Sequence, residues 1–211
     1  MTYKQESYSH MGATMVKKFE KRGIDAFYCR DSAEAVSKVL ELIPEGATVA
    51  WGGSETLEES GVMAAVRRGN YQCIDRKSAK TPEEARALYG RIVCSDYYLM
   101  STNAFTQDGE LVNIDGNGNR VACLIHGPAH VIVVTGMNKA AKNVEDAIQR
   151  VHLSAAPPNC VRLGLKTPCA ATGICSDCKG EESICCQVVV TRRSRHPGRI
   201  TVVMVGEDLG F

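Results

Sequence analysis

The stretch Thr48-Val49-Ala50-Trp51-Gly52-Gly53-Ser54 decides the fold. Four residues of strand character run straight into two glycines and a serine, and beyond them residues 56–68 carry apolar side chains at helical spacing. This is a strand, glycine loop, helix unit, and outward from it the pattern repeats. Upstream, residues 24–29 read as a strand, and Asp31 or Ser32 caps a helix reaching about Ile43 with Ala35, Val36, Val39, Leu40 and Ile43 as its apolar stripe. Downstream, residues 71–75 read as a strand, Thr81-Pro82-Glu83-Glu84 as a helix start with proline in the first turn, and residues 97–101 as another strand. Such alternation predicts an α/β fold, a mainly parallel sheet flanked by helices. An amphipathic helix over residues 3–22 precedes this core. A buried strand over 131–135 and a helix over 143–152 follow it, and Pro157-Pro158 marks a boundary. Strands over 187–191 and 200–205 close the chain. The expected division is a core of residues 1–156, a cysteine-rich metal-binding loop of residues 157–186, and closing strands of the same domain in 187–211.

The 211 residues are 44% hydrophobic and 23% charged, enough for one core of ordinary size. Lysine plus arginine (25) nearly balance aspartate plus glutamate (24), so no global field favours nucleic acid or an anionic membrane. Arg192, Arg193, Arg195 and Arg199 cluster, but no aromatic residue interleaves them, and they read as a solvated turn between strands. No apolar run approaches the ~20 residues of a membrane-crossing helix, and the first residues lack the apolar core of a signal peptide. The expectation is a cytoplasmic protein with neither nucleic acid nor membrane as partner. The first helix sets lysines against an apolar face of Met11, Met15, Val16 and Phe19, which could pack on a second subunit, so a homodimer is expected.

Two places suit an anion. Gly52, Gly53 and Ser54 bring unpaired backbone N–H groups to a helix start, where Ser54 and Thr56 add hydroxyls; the alternative is a tight turn with Ser54 as a simple cap. Neither a G-x-x-x-x-G-K-S/T loop nor a G-x-G-x-x-G fingerprint is present, so neither a nucleoside triphosphate nor a dinucleotide is indicated. The second place runs from Asn103 through Asp115, Asn119 and Arg120. Its glycines permit close backbone approach and Arg120 could hold a carboxylate or phosphate in bidentate fashion; the alternative is a hairpin with a surface arginine. His126 and His130 flank Gly127-Pro128, as acid, base or structural groups.

Ten cysteines divide into two sets. Cys29, Cys73, Cys94 and Cys123 stand singly among apolar residues and read as small buried hydrophobes. Cys169, Cys175, Cys178 and Cys185 form C-x5-C-x2-C-x6-C, with Cys160 and Cys186 nearby. In a reducing compartment such a cluster points to metal rather than disulfides, and four thiolates suit either an iron-sulfur cluster or Zn. Of the adjacent pair Cys185 and Cys186, one is expected to ligate.

Three stretches together resemble the LUD-domain family of lactate-utilization proteins: Gly52-Gly53-Ser54-Glu55-Thr56-Leu57; the run from Ser101-Thr102-Asn103-Ala104 through Gly109, Asp115, Gly116, Gly118, Asn119 and Arg120 to Gly127-Pro128; and the cysteine segment with the closing Val205-Gly206-Glu207-Asp208-Leu209-Gly210-Phe211. The resemblance implies a fold similar to the sugar-isomerase and CoA-transferase group. It also implies an anion-binding cleft lined by Gly53, Ser54, Thr56, Asn103, Asp115, Asn119 and Arg120. Many members have an acidic residue where this chain has Gln107, so a carboxylate role would fall to Asp108, Asp115 or Glu55. Three functions follow as expectations. One is a 4Fe-4S protein of lactate or related 2-hydroxy-acid oxidation that binds a small anionic metabolite beside its cluster. Another is a cluster-dependent hydrolase or lyase with an open iron as Lewis acid and Asp115 or His126 moving protons. The last is a binding module with a purely structural Zn site.

Overall fold

The closing apolar run Ile200-Thr201-Val202-Val203-Met204-Val205 is buried along its whole length, as a strand must be when helices cover both faces of its sheet. In the computed structural model, which describes residues 2–211, it is one of six parallel strands. These are β1 (Asp25–Cys29), β2 (Thr48–Trp51), β3 (Gln72–Ile74), β4 (Tyr97–Met100), β7 (His130–Gly136) and β10 (Ile200–Val205), in the spatial order β1-β10-β7-β4-β2-β3. The register sets Asp25 beside Thr201, Ile200 beside Val131, Tyr97 beside both His130 and Val49, and Thr48 beside Gln72. Four further strands, β5 (Ala104–Thr106), β6 (Leu111–Asp115), β8 (Ala140–Ala141) and β9 (Gln187–Thr191), form a second sheet in the order β8-β5-β6-β9. The α/β architecture read from the sequence is the one observed. The two closing strands, however, belong to different sheets.

The helices are α1 (Tyr3–Glu20), α2 (Ser32–Leu42), α3 (Glu55–Glu59), α4 (Val62–Arg68), α5 (Pro82–Val93), α6 (Asn119–Ile125), α7 (Val144–Arg150), α8 (Ala156–Arg162) and α9 (Pro168–Thr172). Strand alternation sorts the core into two faces. Val131, Val133, Val202 and Met204 pack with Met15 and Phe19 of α1 and Ile92 of α5, while Ile132, Val134, Val203 and Val205 pack with Ala35 and Val39 of α2 and Val62 and Val66 of α4. Phe19 is fully buried and meets Phe105 of the small sheet at a ring-centroid distance of 6.1 Å. The apolar face of α1 is therefore spent inside its own chain, which removes the reason given for a second copy on that face.

Local chemistry explains where the elements start and stop. Asp31, Ser54, Thr81 and Asn143 each accept a backbone N–H at the head of their helices, and Thr2 with Gln5 makes a reciprocal capping box on α1. Residues 56–68, expected as one helix, are two, because Gly61 takes a left-handed backbone (φ 75°) that a side chain would resist. Pro157-Pro158, expected as a boundary, lies inside a continuous helical rod of residues 144–162. The prolines lack the N–H groups that would bond one turn back, and the rod accommodates them by widening into a π-helical turn at Val151–Ala155. Among the scattered cysteines, Cys29 and Cys123 are buried as expected, but Cys73 and Cys94 are exposed. Arg199 donates to the carbonyls of Leu124 and Cys123 at the end of α6, so one member of the basic stretch caps a helix. No helix among the described residues is long and apolar enough to cross a membrane.

Candidate functional site

The carboxyl ends of β2, β4 and β7 are neighbours in the sheet, and the segments leaving them open one cavity of about 230 Å³. This is where open α/β sheets place ligands. From β2 come Gly53, Ser54, Glu55 and Thr56; from β4, Ser101, Thr102 and Asn103; and from the turn after β7, Lys139. The small sheet adds Ile114, Asp115 and the loop to Asn119 and Arg120. The rod of residues 144–162 lends Val151 and Ala155 from its π turn, with Asn159 and Arg162, and the cysteine segment contributes Cys185.

The glycine loop does less for an anion than its sequence suggests. Ser54 Oγ accepts the N–H of Leu57 at 3.3 Å, so it caps α3, and α3 has only five residues, too few to sum to a large dipole. Gly52 is not in the cavity wall: a β-carbon there would lie 3.0 Å from the Tyr98 hydroxyl and 3.4 Å from Arg120 Cδ. Gly53 leaves room instead for Arg76, whose guanidinium a β-carbon would meet at 2.9 Å. Arg76 lines the cavity and makes no ion pair or hydrogen bond among the described residues.

Asp115, at the end of β6, accepts the N–H groups of Asn117 (3.1 Å) and Gly118 (2.9 Å), and so makes the turn that starts α6 at Asn119. The run from Asn103 to Arg120 holds both a hairpin, β5 against β6, and then a helix, entered through Gly118 at φ 76°. Arg120 then points back beneath the cavity. Its Nη1 donates to Asn113 Oδ1 (2.5 Å) and the Ser101 carbonyl (3.2 Å), its Nη2 to Asn103 Oδ1 and the Ile114 carbonyl (both 2.9 Å), and its Nε faces Asp115 Oδ2 at 3.4 Å. All its donors face protein acceptors. Burial pulls its pKa down, against the pull of Asp115, yet a guanidinium stays charged throughout. Arg120 is thus the tie that fixes the 101–103 segment to β6, not a free clamp for a substrate.

His126 is exposed beyond the last turn of α6 and outside the cavity wall, so it does not join Asp115. His130 stacks on Tyr97 at 4.8 Å and approaches the Gly198 carbonyl at 3.0 Å, a structural setting. Of the alternative carboxylates, Glu55 lines the cavity with its carboxylate 3.4 Å from Arg162, whereas Asp108 pairs with Lys18 on the surface.

The residue that sequence reasoning missed is Lys139. It is 4% exposed, and its Nζ donates to Thr56 Oγ1 at 2.7 Å and Ser101 Oγ at 3.2 Å. Burial drags its pKa down to about 7, helped by the charges of Arg150 and Arg120 and opposed by Glu59. Gly-Met-Asn-Lys carries no motif. The only signal in sequence was a lysine one short turn after a strand too apolar to end at the surface.

The cysteine segment is held against the cavity. β9 pairs antiparallel with β6, setting Gln187 beside Asp115, and the Cys186 N–H donates to the Asp115 carbonyl at 3.1 Å. Cys160 of α8 and Cys169 of α9 are buried with sulfurs 3.7 Å apart, and Cys175 Sγ lies 3.4 Å from His152 Nδ1 on the π turn. Burial raises the Cys185 thiol to about 11, and its further causes are the neighbouring Cys160, Cys175, Cys169 and Cys178. Cys186 is exposed and turned to the Ser183 carbonyl, which settles which of the adjacent pair faces the others. Among the described residues, no three His, Cys, Asp or Glu side chains gather closely enough to hold a single metal ion.

Fold and site together define an α/β protein with a polar cavity at the carboxyl ends of a parallel sheet. The chain belongs to the LUD domain family, which its sequence matches over residues 13–205. A DUF162 family protein from Deinococcus radiodurans, solved by crystallography at 1.70 Å, has a similar fold: TM-score 0.54 at 12% identity, covering 94% of this chain and 97% of that one. Looser likenesses are to eIF2B delta from Chaetomium thermophilum (TM-score 0.41, 13% identity, 84% of this chain and 57% of that one) and ribose 5-phosphate isomerase A from Methanocaldococcus jannaschii (TM-score 0.33, 14% identity, 54% and 55%). No curated protein matches the chain.

Proposed function

We propose that this LUD-domain protein holds an iron-sulfur cluster on Cys169, Cys175, Cys178 and Cys185 and binds a small anionic metabolite beside it, in the oxidation of lactate or a related 2-hydroxy acid. One observation carries this reading: Cys185 lies in the cavity wall and also among the other thiols. The donor set fits a cluster. Four thiolates drawn from Cys169, Cys175, Cys178 and Cys185, with Cys160 3.7 Å from Cys169, are the ligand type that iron-sulfur clusters take.

Such a cluster would supply electron transfer. Cys160 is a fifth thiol beside Cys169, so the segment has more ligands than a cubane has irons, which favours a closed redox cluster over an open Lewis-acid iron. Around the metabolite, Arg76 offers the free positive charge, Asn103 and Asn119 offer amides, and Thr56, Ser101 and Lys139 form the polar floor. Val151 and Ala155 add apolar surface to the wall.

Protein purified without oxygen is expected to contain about four iron and four sulfide per chain, with broad absorption near ~400 nm. Cys175→Ser and Cys178→Ser should each lower both contents together. About one zinc per chain and no sulfide would contradict the reading.

A further inference from the structure

We propose that Lys139 is an imine-forming lysine, and that the cavity therefore takes small carboxylates bearing a carbonyl beside the carboxyl group, the 2-oxo acids. This rests on the reading of the cavity as an anion site and narrows it.

The hydrogen-bond directions around Nζ carry the argument. Thr56 Oγ1 lies 3.3 Å from the Leu209 carbonyl and Ser101 Oγ lies 3.3 Å from the Thr102 carbonyl, so each hydroxyl gives its own proton away. Each is left to accept from Lys139, at 2.7 Å and 3.2 Å. A neutral amine has two N–H donors and one lone pair. Both donors are used, and the remaining position on nitrogen belongs either to a lone pair or to a third proton. A third proton would need an acceptor, and no carboxylate stands within ion-pair distance of Lys139 among the described residues. The charges of Arg150 and Arg120 oppose it and outweigh the weaker pull of Glu59. Burial at 4% exposure adds the cost of an unpaired ammonium. The lowered pKa agrees with the geometry but is not its basis.

A lysine that sheds its proton this readily is a poor anchor for an anion and, once neutral, a good nucleophile. The anchoring charge in the same wall is Arg76, a permanent cation with no ion-pair or hydrogen-bond partner among the described residues. The site thus separates the two tasks, a guanidinium for the carboxylate and an amine for an electrophilic carbon. A cavity of about 230 Å³ has room for a small carboxylate such as pyruvate.

The step balances without any oxidant. The Nζ lone pair attacks the carbonyl carbon and forms the C–N bond, while the C=O π pair moves to oxygen. That oxygen takes the proton released from nitrogen and a second from solvent, then leaves as water. The product is a protonated imine, which returns amine and 2-oxo acid on hydrolysis.

The test uses anaerobically purified full-length protein, pyruvate as probe and cyanoborohydride as trap, with peptide mass spectrometry. The expected result is one reduced adduct per chain, on the Lys139 peptide, saturating with pyruvate and suppressed by excess propionate, which has the carboxylate but no carbonyl. Lys139→Arg should lose that adduct. Should this variant fold poorly, the wild type still decides, because labelling spread evenly over exposed lysines and indifferent to propionate would overturn the proposal. Calorimetric titration with pyruvate separates the two readings. Saturable pyruvate binding without a trapped adduct would overturn the imine and leave the anion site standing. Neither binding nor adduct would overturn both.

Discussion

Arg120→Met should cost the protein about 3–5 kcal/mol of stability, the range expected when one partner of a buried, hydrogen-bonded ion pair is removed. Methionine keeps the aliphatic bulk but abandons Asn113 Oδ1, the carbonyls of Ser101 and Ile114, one bond to Asn103 and the charge beside Asp115. Asn113 already has a buried Nδ2 with no partner, so its surroundings have little slack to absorb the loss. Arg120→Lys keeps a charge but loses the planar fork, and should fall between the two. Denaturant melts measure this directly. A loss within about 0.5 kcal/mol, the scale of an ordinary surface substitution, would show that Arg120 is dispensable to the fold and restore it as a candidate substrate clamp.

Stability should also rise with pH because of Lys139. In the folded protein its amine releases its proton at about 7, whereas an unfolded lysine holds it to 10.5. Between these values the unfolded chain binds more protons, so unfolding becomes harder as pH increases, at up to roughly 1.4 kcal/mol per pH unit. Below pH 7 both states are protonated and the full cost of the buried charge is present. Lys139→Met removes the titration and leaves a pH-independent offset from the two hydroxyls. The wild type should therefore gain on the variant by on the order of 2 kcal/mol between pH 7 and 9, in melts run side by side. A difference that stays flat across that range would mean that the folded amine holds its proton as an exposed lysine does.

These two residues mark the limits of what the sequence carries. Strands such as residues 131–135 and 200–205 were legible because a parallel sheet covered on both faces demands unbroken apolar runs, and few other elements do. Helix starts were legible from Asp31, Thr81 and Asn143, whose capping chemistry is local. What failed depended on partners far along the chain. Asp115-Gly116-Asn117-Gly118 has turn composition, and only the Asp115 side chain accepting two N–H groups, with Arg120 anchored to β6, makes the following residues a helix. The proline pair looked like an end because the π turn that absorbs it has no signature of its own. Arg120 stood out as a cation, but its role as a tie did not, since its acceptors come from five positions that sequence spacing does not bring together. Lys139 was invisible because its burial depends on Thr56, Ser101 and the packing of Leu209-Gly210-Phe211 over them. The spacing of the cysteines could be read from the chain, but the approach of Cys160 to Cys169 and of His152 to Cys175 could not.

The central claim is that a cysteine-held cluster and a small-anion cavity share a wall at Cys185. It is tested most directly by the electron paramagnetic resonance spectrum of the anaerobically purified, dithionite-reduced protein, recorded while lactate is titrated in, and again with pyruvate. The account predicts a cluster signal whose line shape changes saturably with ligand. A cluster signal that stays unchanged while calorimetry shows either acid binding would place the ligand away from Cys185, and the absence of any cluster signal, with no iron or sulfide in the sample, would contradict the account at its root.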